Sequence, residues 1–91
     1  MFISVSFDLM GPDTKNNVAD LLKQYGVDKV HENLYETFDF PLKSLGNFKR
    51  DIAELLDMDD KLRIYQYPLD NTFKISYLKE RKWKRLSVKG V

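Results

Sequence analysis

The first nine residues alternate between two kinds of side chain, and this pattern constrains the fold more than any other feature. One parity is apolar, with Ile3, Val5, Phe7 and Leu9. The other parity is mostly small or polar, with Phe2, Ser4, Ser6 and Asp8. A period of two predicts a β-strand that has one buried face and one open face. The strand therefore ends on a carboxylate, Asp8, where a rigid element would hold a functional group in place.

A solvated turn residue is the alternative interpretation of Asp8. Gly11, Pro12 and Asp13 follow it closely, and Asp is a preferred residue at turns. Spacing alone leaves both the functional and the turn interpretation open.

The composition predicts one small soluble domain. A chain of 91 residues forms a thin core, because it buries only about 60 to 65% of its unfolded surface. Hydrophobic residues make up 43% of the sequence and aromatic residues 13%, which argues against disorder. No apolar run approaches the roughly 20 residues of a membrane span, no secretory signal precedes Phe2, and cysteine is absent. We therefore expect a cytoplasmic protein without disulfides and without a membrane partner.

The rest of the sequence predicts two helices and four further strands. The first helix is capped by Asp13 or Thr14 and ends at Gly26. The second helix begins at Pro41 and runs to about Asp57. The further strands cover residues 27–38, 62–67, 72–78 and 83–88, with a turn at 69–71.

This order of elements predicts an α+β fold. Each helix has a single apolar stripe, so both helices pack on one face of a single sheet, as in the ferredoxin-like βαββαβ sandwich. We assign residues 1–78 to this core and residues 79–91 to a basic C-terminal strand and tail. The other sheet face carries Phe2 and the aromatic residues of segment 63–67. A second subunit would cover such a face, so we expect a homodimer.

The positive charge of the chain is concentrated near its C-terminus. Segment 79–89 holds six cations against Glu80, a local charge of +5, so the rest of the chain carries −4 within the net charge of +1. Such a segment indicates a polyanionic partner, DNA or RNA, although lysine also protects edge strands from aggregation. The candidate nucleic-acid-binding residues are Lys79, Arg81, Lys82, Lys84 and Arg85. In one continuous strand, Lys82 and Lys84 would lie on one face and the other three on the opposite face.

Three segments resemble the small CRISPR-associated proteins of the Cas-two family, which take part in spacer acquisition. They are residues 7–9 at the end of the first strand, residues 30–36 in the second, and residues 62–65 before Pro68. Element order and length are also similar. The resemblance implies a ferredoxin-like dimer in which the two Asp8 carboxylates face each other across the two-fold axis. A divalent cation, Mg²⁺ or Mn²⁺, could then sit between them.

The resemblance implies two activities. Members of the family are described as metal-dependent endonucleases, with Asp8 as the matching catalytic and metal-binding residue. They are also described as non-catalytic bridges that hold an integrase on foreign DNA, and this is the activity that we predict here. In both descriptions the last strand extends the partner's sheet, a role for residues 83–88. The chain departs from the family pattern in having Lys15 near an expected arginine and Asn33 at an expected serine.

The sequence also admits other functions and other sites. A VapD-like toxin endoribonuclease and a ferredoxin-like ligand- or protein-interaction domain are the alternative functions, since one fold hosts many activities. His31 belongs to no recognisable motif, which favours a polar strand residue over a general base. A second acidic group lacks the spacing of a calcium loop, which favours a solvated helix end. This group consists of Glu54, Asp57, Asp59 and Asp60.

Overall fold

The computed structural model describes residues 1–67 and 72–89, which form one antiparallel sheet and two α-helices. In chain order the elements are β1 (Phe2–Asp8), α1 (Pro12–Gln24), β2 (Asp28–His31), β3 (Leu34–Thr37), α2 (Leu45–Leu55), β4 (Lys61–Tyr67), β5 (Thr72–Lys79) and β6 (Lys82–Lys89). The six described strands are ordered β2-β3-β1-β4-β5-β6. The predicted α+β class with a single sheet is therefore confirmed. The turn predicted at 69–71 lies outside the described residues.

The core lies on the sheet face that the alternation in β1 predicts to be buried. Ile3 and Val5 are fully buried, and Phe7 is nearly so. Both helices contribute to the same core cluster, through Val18, Leu22, Phe48 and Ile52. Each such side chain stabilises the fold by about 1.5 to 3 kcal/mol when it is fully buried. No described helix covers the opposite face of the sheet, which we call the open face.

Residues 27–38 form a hairpin, so the prediction of one continuous strand is wrong. β2 and β3 pair antiparallel, and His31 lies opposite Leu34. The loop between them consists of Glu32 and Asn33, two polar residues that suit a tight turn. His31 is an exposed residue of the edge strand β2, in agreement with its interpretation as a polar strand residue.

The first helix begins earlier than predicted. Gly11 is its N-cap and Pro12 its first residue, and neither Asp13 nor Thr14 caps it. Proline is favoured at the first helical position because the missing N–H has no partner there in any case. The predicted end is confirmed, since Gly26 follows the helix with φ of +77°, a conformation that glycine adopts at little cost.

The second helix is preceded by a short 3₁₀ turn. Pro41 caps this turn, which spans Leu42–Ser44, and the α-helix starts only at Leu45. The helix ends at Leu55, two residues before the predicted end at Asp57.

β5 and β6 form a hairpin with a two-residue turn, Glu80 and Arg81. Both residues have positive φ, 52° and 61°, as a type I′ turn requires. This reversal places Lys79 directly opposite Lys82, on the same face of the sheet. The prediction that Lys79 shares a face with Arg81 and Arg85 is therefore wrong, because a turn interrupts the alternation.

Replacing Glu80 and Arg81 with Asn and Gly should stabilise the protein by about 1 kcal/mol, because this pair adopts the I′ turn without the steric cost that other residues bear. Urea denaturation measures the change. A matched control is Asn33→Gly in the other hairpin, since Asn33 is not in the left-handed region and gains nothing from glycine. An equal gain in both variants would contradict the proposed strain at the second turn.

Candidate nucleic-acid interface

The register of the strands divides the open face into two parts. Residues that pair directly across neighbouring strands share a face, so the pairing shows which side chains lie together. We call one part the apolar half; it consists of Phe2, Phe38, Tyr65, Tyr67, Phe73, Ile75 and Leu86. We call the other part the basic end; it consists of Asp8, Lys61, Arg63, Lys79, Lys82 and Lys84.

The apolar half contains a continuous run of aromatic rings. The ring centroids of Phe38 and Phe2 are 5.2 Å apart, and those of Phe2 and Tyr67 are 5.9 Å apart. Phe73 continues the run at 4.4 Å from Tyr67 and 6.0 Å from Tyr65. These separations are typical of favourable aromatic pairs. Phe38 is nevertheless 80% exposed and Tyr67 53% exposed, so the chain alone leaves a contiguous apolar patch in water.

The basic end lies where four strands meet. Asp8 at the end of β1 pairs with Lys61 at the start of β4. Leu62 pairs with Leu78, which brings the neighbouring residues Lys61 and Lys79 side by side. Lys79 in turn pairs with Lys82. These residues thus form one row across the end of the sheet.

A second row lies one step further into the sheet. Ser6 pairs with Arg63, Arg63 with Tyr77, and Tyr77 with Lys84. The guanidinium carbon of Arg63 is 5.5 Å from the centre of the Tyr77 ring, within the range of a cation–π contact. The aromatic ring therefore restricts the position of the arginine.

Asp8 lies at the strand end, as predicted, and its side chain is exposed. Within residues 1–67 and 72–89, no hydrogen bond or ion pair holds its carboxylate. A shallow depression beside it is lined by Ser6, Phe7, Asp8, Lys61, Leu62 and Arg63. Asp8 is thus accessible to a ligand of the open face.

Asp60 holds together the two loops beside the basic end. Its carboxylate accepts one hydrogen bond from the backbone N–H of Met10 and one from that of Asp57, both at 2.9 Å. Its side chain is buried, with 2% of its surface exposed. The expectation that Asp60 is part of a solvated helix end is therefore wrong. Nothing in the sequence separates Asp60 from its exposed neighbour Asp59, because the amide of Met10 is brought to it only by the fold.

The five cations predicted to bind nucleic acid do not share one face. Lys79, Lys82 and Lys84 lie at the basic end, whereas Arg81 lies in the hairpin turn. Arg85 pairs with Ser76, which is buried on the helical side of the sheet. The structure instead adds two cations that sequence reasoning missed, Lys61 and Arg63. The sequence feature that could have revealed them is the alternation in residues 61–67. Lys61 and Arg63 lie on the exposed parity of this strand, and the buried residues lie on the other parity.

Lys49 and Trp83 attach β6 to the second helix. The Trp83 indole N–H donates to the backbone carbonyl of Lys49 at 3.1 Å, and the Lys49 ammonium lies 4.9 Å from the centre of the Trp83 ring. The same ammonium donates to Ser76 Oγ at 3.2 Å. Burial lowers the pKa of Lys49, and the nearby charge of Arg85 lowers it further. Arg85 therefore lies near Lys49 on the helical side of the sheet and not at the basic end.

Lys15, the cation nearest in sequence to the family arginine, is engaged elsewhere. Its ammonium donates to Glu32 in the β2–β3 turn. This hydrogen bond, together with the charges of Lys15 and Lys29, lowers the pKa of Glu32. Lys15 is thus paired with a carboxylate and does not join the basic end.

A divalent cation does not fit the residues around Asp8 in one chain. Mg²⁺ and Mn²⁺ prefer several carboxylate, carbonyl or water oxygens. Within the described part of the chain, no group of three or more His, Cys, Asp or Glu side chains could hold a metal ion. Asp8 is the one carboxylate of the basic end, and it faces Lys61 with Arg63 close by. A metal at Asp8 would therefore depend on a carboxylate from a second chain.

Comparison with known proteins identifies the family. The fold, with two helices on one face of a single sheet and the other face open, defines the chain as a small α+β protein. Comparison of the sequence with family models identifies the family within this class. The family model of the CRISPR associated protein Cas2 matches residues 1–75, most of the chain. The chain therefore belongs to this family, which supports a role in CRISPR adaptation. The family is generally dimeric and generally metal-dependent.

Three further findings accompany the family match. The family match ends within β5, so β6 and the basic residues that it carries lie beyond it. No individual curated protein matches the sequence significantly. None of the helices in the described ranges is long and apolar enough to cross a bilayer.

Proposed function

We propose that the protein is a nucleic-acid-binding homodimer that acts with an integrase subunit during spacer acquisition. The observation that carries the proposal is the division of the open face into an apolar half and a basic end. Membership of the family supports the setting in CRISPR adaptation. The neighbouring strands β2-β3-β1-β4, with both helices in one core cluster, support the ferredoxin-like class.

The apolar half supports the dimer. Five aromatic rings in contact on a surface without a covering element are costly in water, and a second copy of the chain would remove them from it. Residues 83–88, to which the resemblance gives the role of extending the partner's sheet, pair with β5 of the same chain. The outer edge of β6 is unpaired in the described sheet, so β6 could still join the sheets of two chains along that edge.

The basic end supports a polyanionic partner. Its five cations outnumber its one carboxylate, and this excess of positive charge suits the phosphates of a nucleic-acid backbone. Metal-dependent cleavage at Asp8 remains a prediction that requires a second chain to complete the site.

Fluorescence anisotropy with labelled duplex DNA and labelled single-stranded RNA tests binding, and light scattering on the same sample tests the dimer. We expect a dimer that binds regardless of sequence, with an affinity that falls steeply between about 50 and 200 mM salt as counterions are released. The integrase from the same genome should co-elute with it. A monomer that binds neither nucleic acid at low salt would contradict the proposal.

A further inference from the structure

We propose that the basic end binds nucleic-acid phosphates directly, without a divalent cation, and that Lys61 and Arg63 are its central contacts. The inference rests on the proposed function and names the site at which the nucleic acid is held. The sequence alone predicted nucleic-acid contacts only in the C-terminal segment. The surface that we propose is instead shared by β1, β4, β5 and β6.

Lys61 and Arg63 lie where a bound nucleic acid would cross the basic end. Neighbouring strands are about 4.8 Å apart, and residues of one strand on the same face are about 7 Å apart. Lys61 and Arg63 lie on β4, between Asp8 and Ser6 on one side and β5 on the other. They therefore occupy the middle of the basic end, and a backbone that crosses it must pass within reach of both.

The positive charge of the basic end is not balanced by ion pairs within the described part of the chain. All five cations of the basic end are exposed, and within the described ranges none of them forms an ion pair. Like charges on adjacent strands repel one another, which destabilises the sheet unless an anion lies between them. A phosphodiester backbone supplies such anions at regular intervals.

The position of the Arg63 side chain is restricted before any ligand binds. The Tyr77 ring restricts its guanidinium, and Ser6 across the strand pair offers a hydroxyl on the same face. A guanidinium can bind two phosphate oxygens at once, and less side-chain entropy is lost when the group is already held. The held guanidinium therefore suits a specific contact with one phosphate group, and not only a loose attraction to anions in solution.

A divalent metal ion fits the basic end poorly. Asp8 pairs in register with Lys61, and Arg63, Lys79 and Lys82 lie on the same face at this end of the sheet, so a divalent cation at Asp8 would have cationic neighbours. These positive charges repel it, so its binding would be weaker than at a carboxylate in neutral surroundings. Lys61 already supplies the positive charge that faces Asp8. An anion is attracted to the same surroundings.

The dimer implied by the family resemblance agrees with this assignment. If the two Asp8 residues lie near the two-fold axis, the basic ends of both chains meet there. Direct contact between them would be repulsive, which leaves a cationic cleft for a nucleic-acid backbone. The apolar halves would close the dimer on either side.

The test compares three double variants of the full-length protein. In Lys61→Gln with Arg63→Gln, both central cations are removed. In Lys61→Arg with Arg63→Lys, the charges are kept. In the matched control, Lys43→Gln with Arg50→Gln, two exposed cations outside the open face are removed. Duplex DNA binding is measured across a salt series in EDTA, and circular dichroism checks that each variant folds.

The slope of log affinity against log salt should decrease by about 0.9 for each lost duplex contact, hence by nearly two in each chain of the first variant. The charge-keeping variant and the matched control should retain the wild-type slope. Asp8→Asn should bind DNA in EDTA at least as tightly as wild type, because it removes the one negative charge of the basic end. A metal site would instead predict that wild-type binding itself is lost in EDTA.

Two results would overturn the inference while leaving the proposed function standing. The first is a wild-type slope in the Lys61→Gln, Arg63→Gln variant. The second is wild-type binding that disappears in EDTA and returns with Mg²⁺. If wild type binds no nucleic acid with or without Mg²⁺, the proposed function itself fails.

Discussion

Replacing Asp60 with alanine should lower the free energy of unfolding by about 2 to 4 kcal/mol. The carboxylate accepts hydrogen bonds from the amides of Met10 and Asp57, and a hydrogen bond to a charged group contributes about 1.5 to 3 kcal/mol. A small domain has only about 5 to 15 kcal/mol of stability in total, so the loss is a large fraction. Urea denaturation measures it. Amide hydrogen exchange at Met10 and Asp57 should also accelerate.

Asp59→Ala is the matched control for this prediction. Asp59 is adjacent in sequence, carries the same charge and is exposed. Its replacement should change the stability by no more than about 0.5 kcal/mol, the usual range for surface substitutions. If both variants lose the same small amount, Asp60 does not hold the two loops together. Asp60→Asn should lie between the two, since its amide oxygen can still accept a hydrogen bond.

The second large effect concerns the dimer. Replacing Tyr67 with aspartate should convert the dimer into a monomer at micromolar concentration. The ring contacts Phe2 and Phe73 in the middle of the aromatic run, and a carboxylate buried there would lose its hydration without a partner. Tyr67 is half exposed in the single chain, so the fold itself should tolerate the change far better than the interface does. Light scattering measures the mass.

Two further variants separate the loss of the dimer from the loss of the fold. Phe38→Asp changes the most exposed ring of the apolar half and should weaken the dimer with little effect on the circular dichroism of the monomer. Leu42→Asp is the matched control, because Leu42 is 69% exposed and lies in the 3₁₀ turn rather than on the open face. A Tyr67→Asp protein that is folded and still dimeric would show that another surface makes the dimer.

The basic end shows why the distribution of charge matters more for binding a polyanion than the net charge of the chain. The chain carries a net charge of only +1, yet five exposed cations converge at one end of its sheet. Local potential governs the attraction of a polyanion, and the balancing carboxylates lie elsewhere on the chain. Glu32, for example, is paired with Lys15 in the distant β2–β3 turn.

Local patterns in the sequence determined the class of the fold. The alternation in β1 predicted which face is buried, and the burial of Ile3, Val5 and Phe7 agrees with it. The apolar stripes predicted both helices, and Gly26 ends the first of them as predicted. These features depend on neighbours within a few residues, so periodicity and end residues were sufficient to find them.

Turn geometry was the first thing that the sequence left undecided. The sequence predicts a break between strands at 72–78 and 83–88, but Glu80 and Arg81 are not typical residues of a type I′ turn, so no local preference marked the position of the reversal. An unnoticed reversal changes the face assigned to every residue beyond it. For that reason the sequence alone placed Lys79 with Arg85, although the paired strands place it with Lys82.

Only the tertiary structure decided which residues meet at the candidate site. Asp8 and Lys61 are far apart in the chain, and the pairing of β1 with β4 brings them face to face. Asp60 differs from Asp59 only because the fold brings the Met10 amide to its carboxylate. Side chains distant in sequence become neighbours through strand register, and register depends on the packing of the whole sheet.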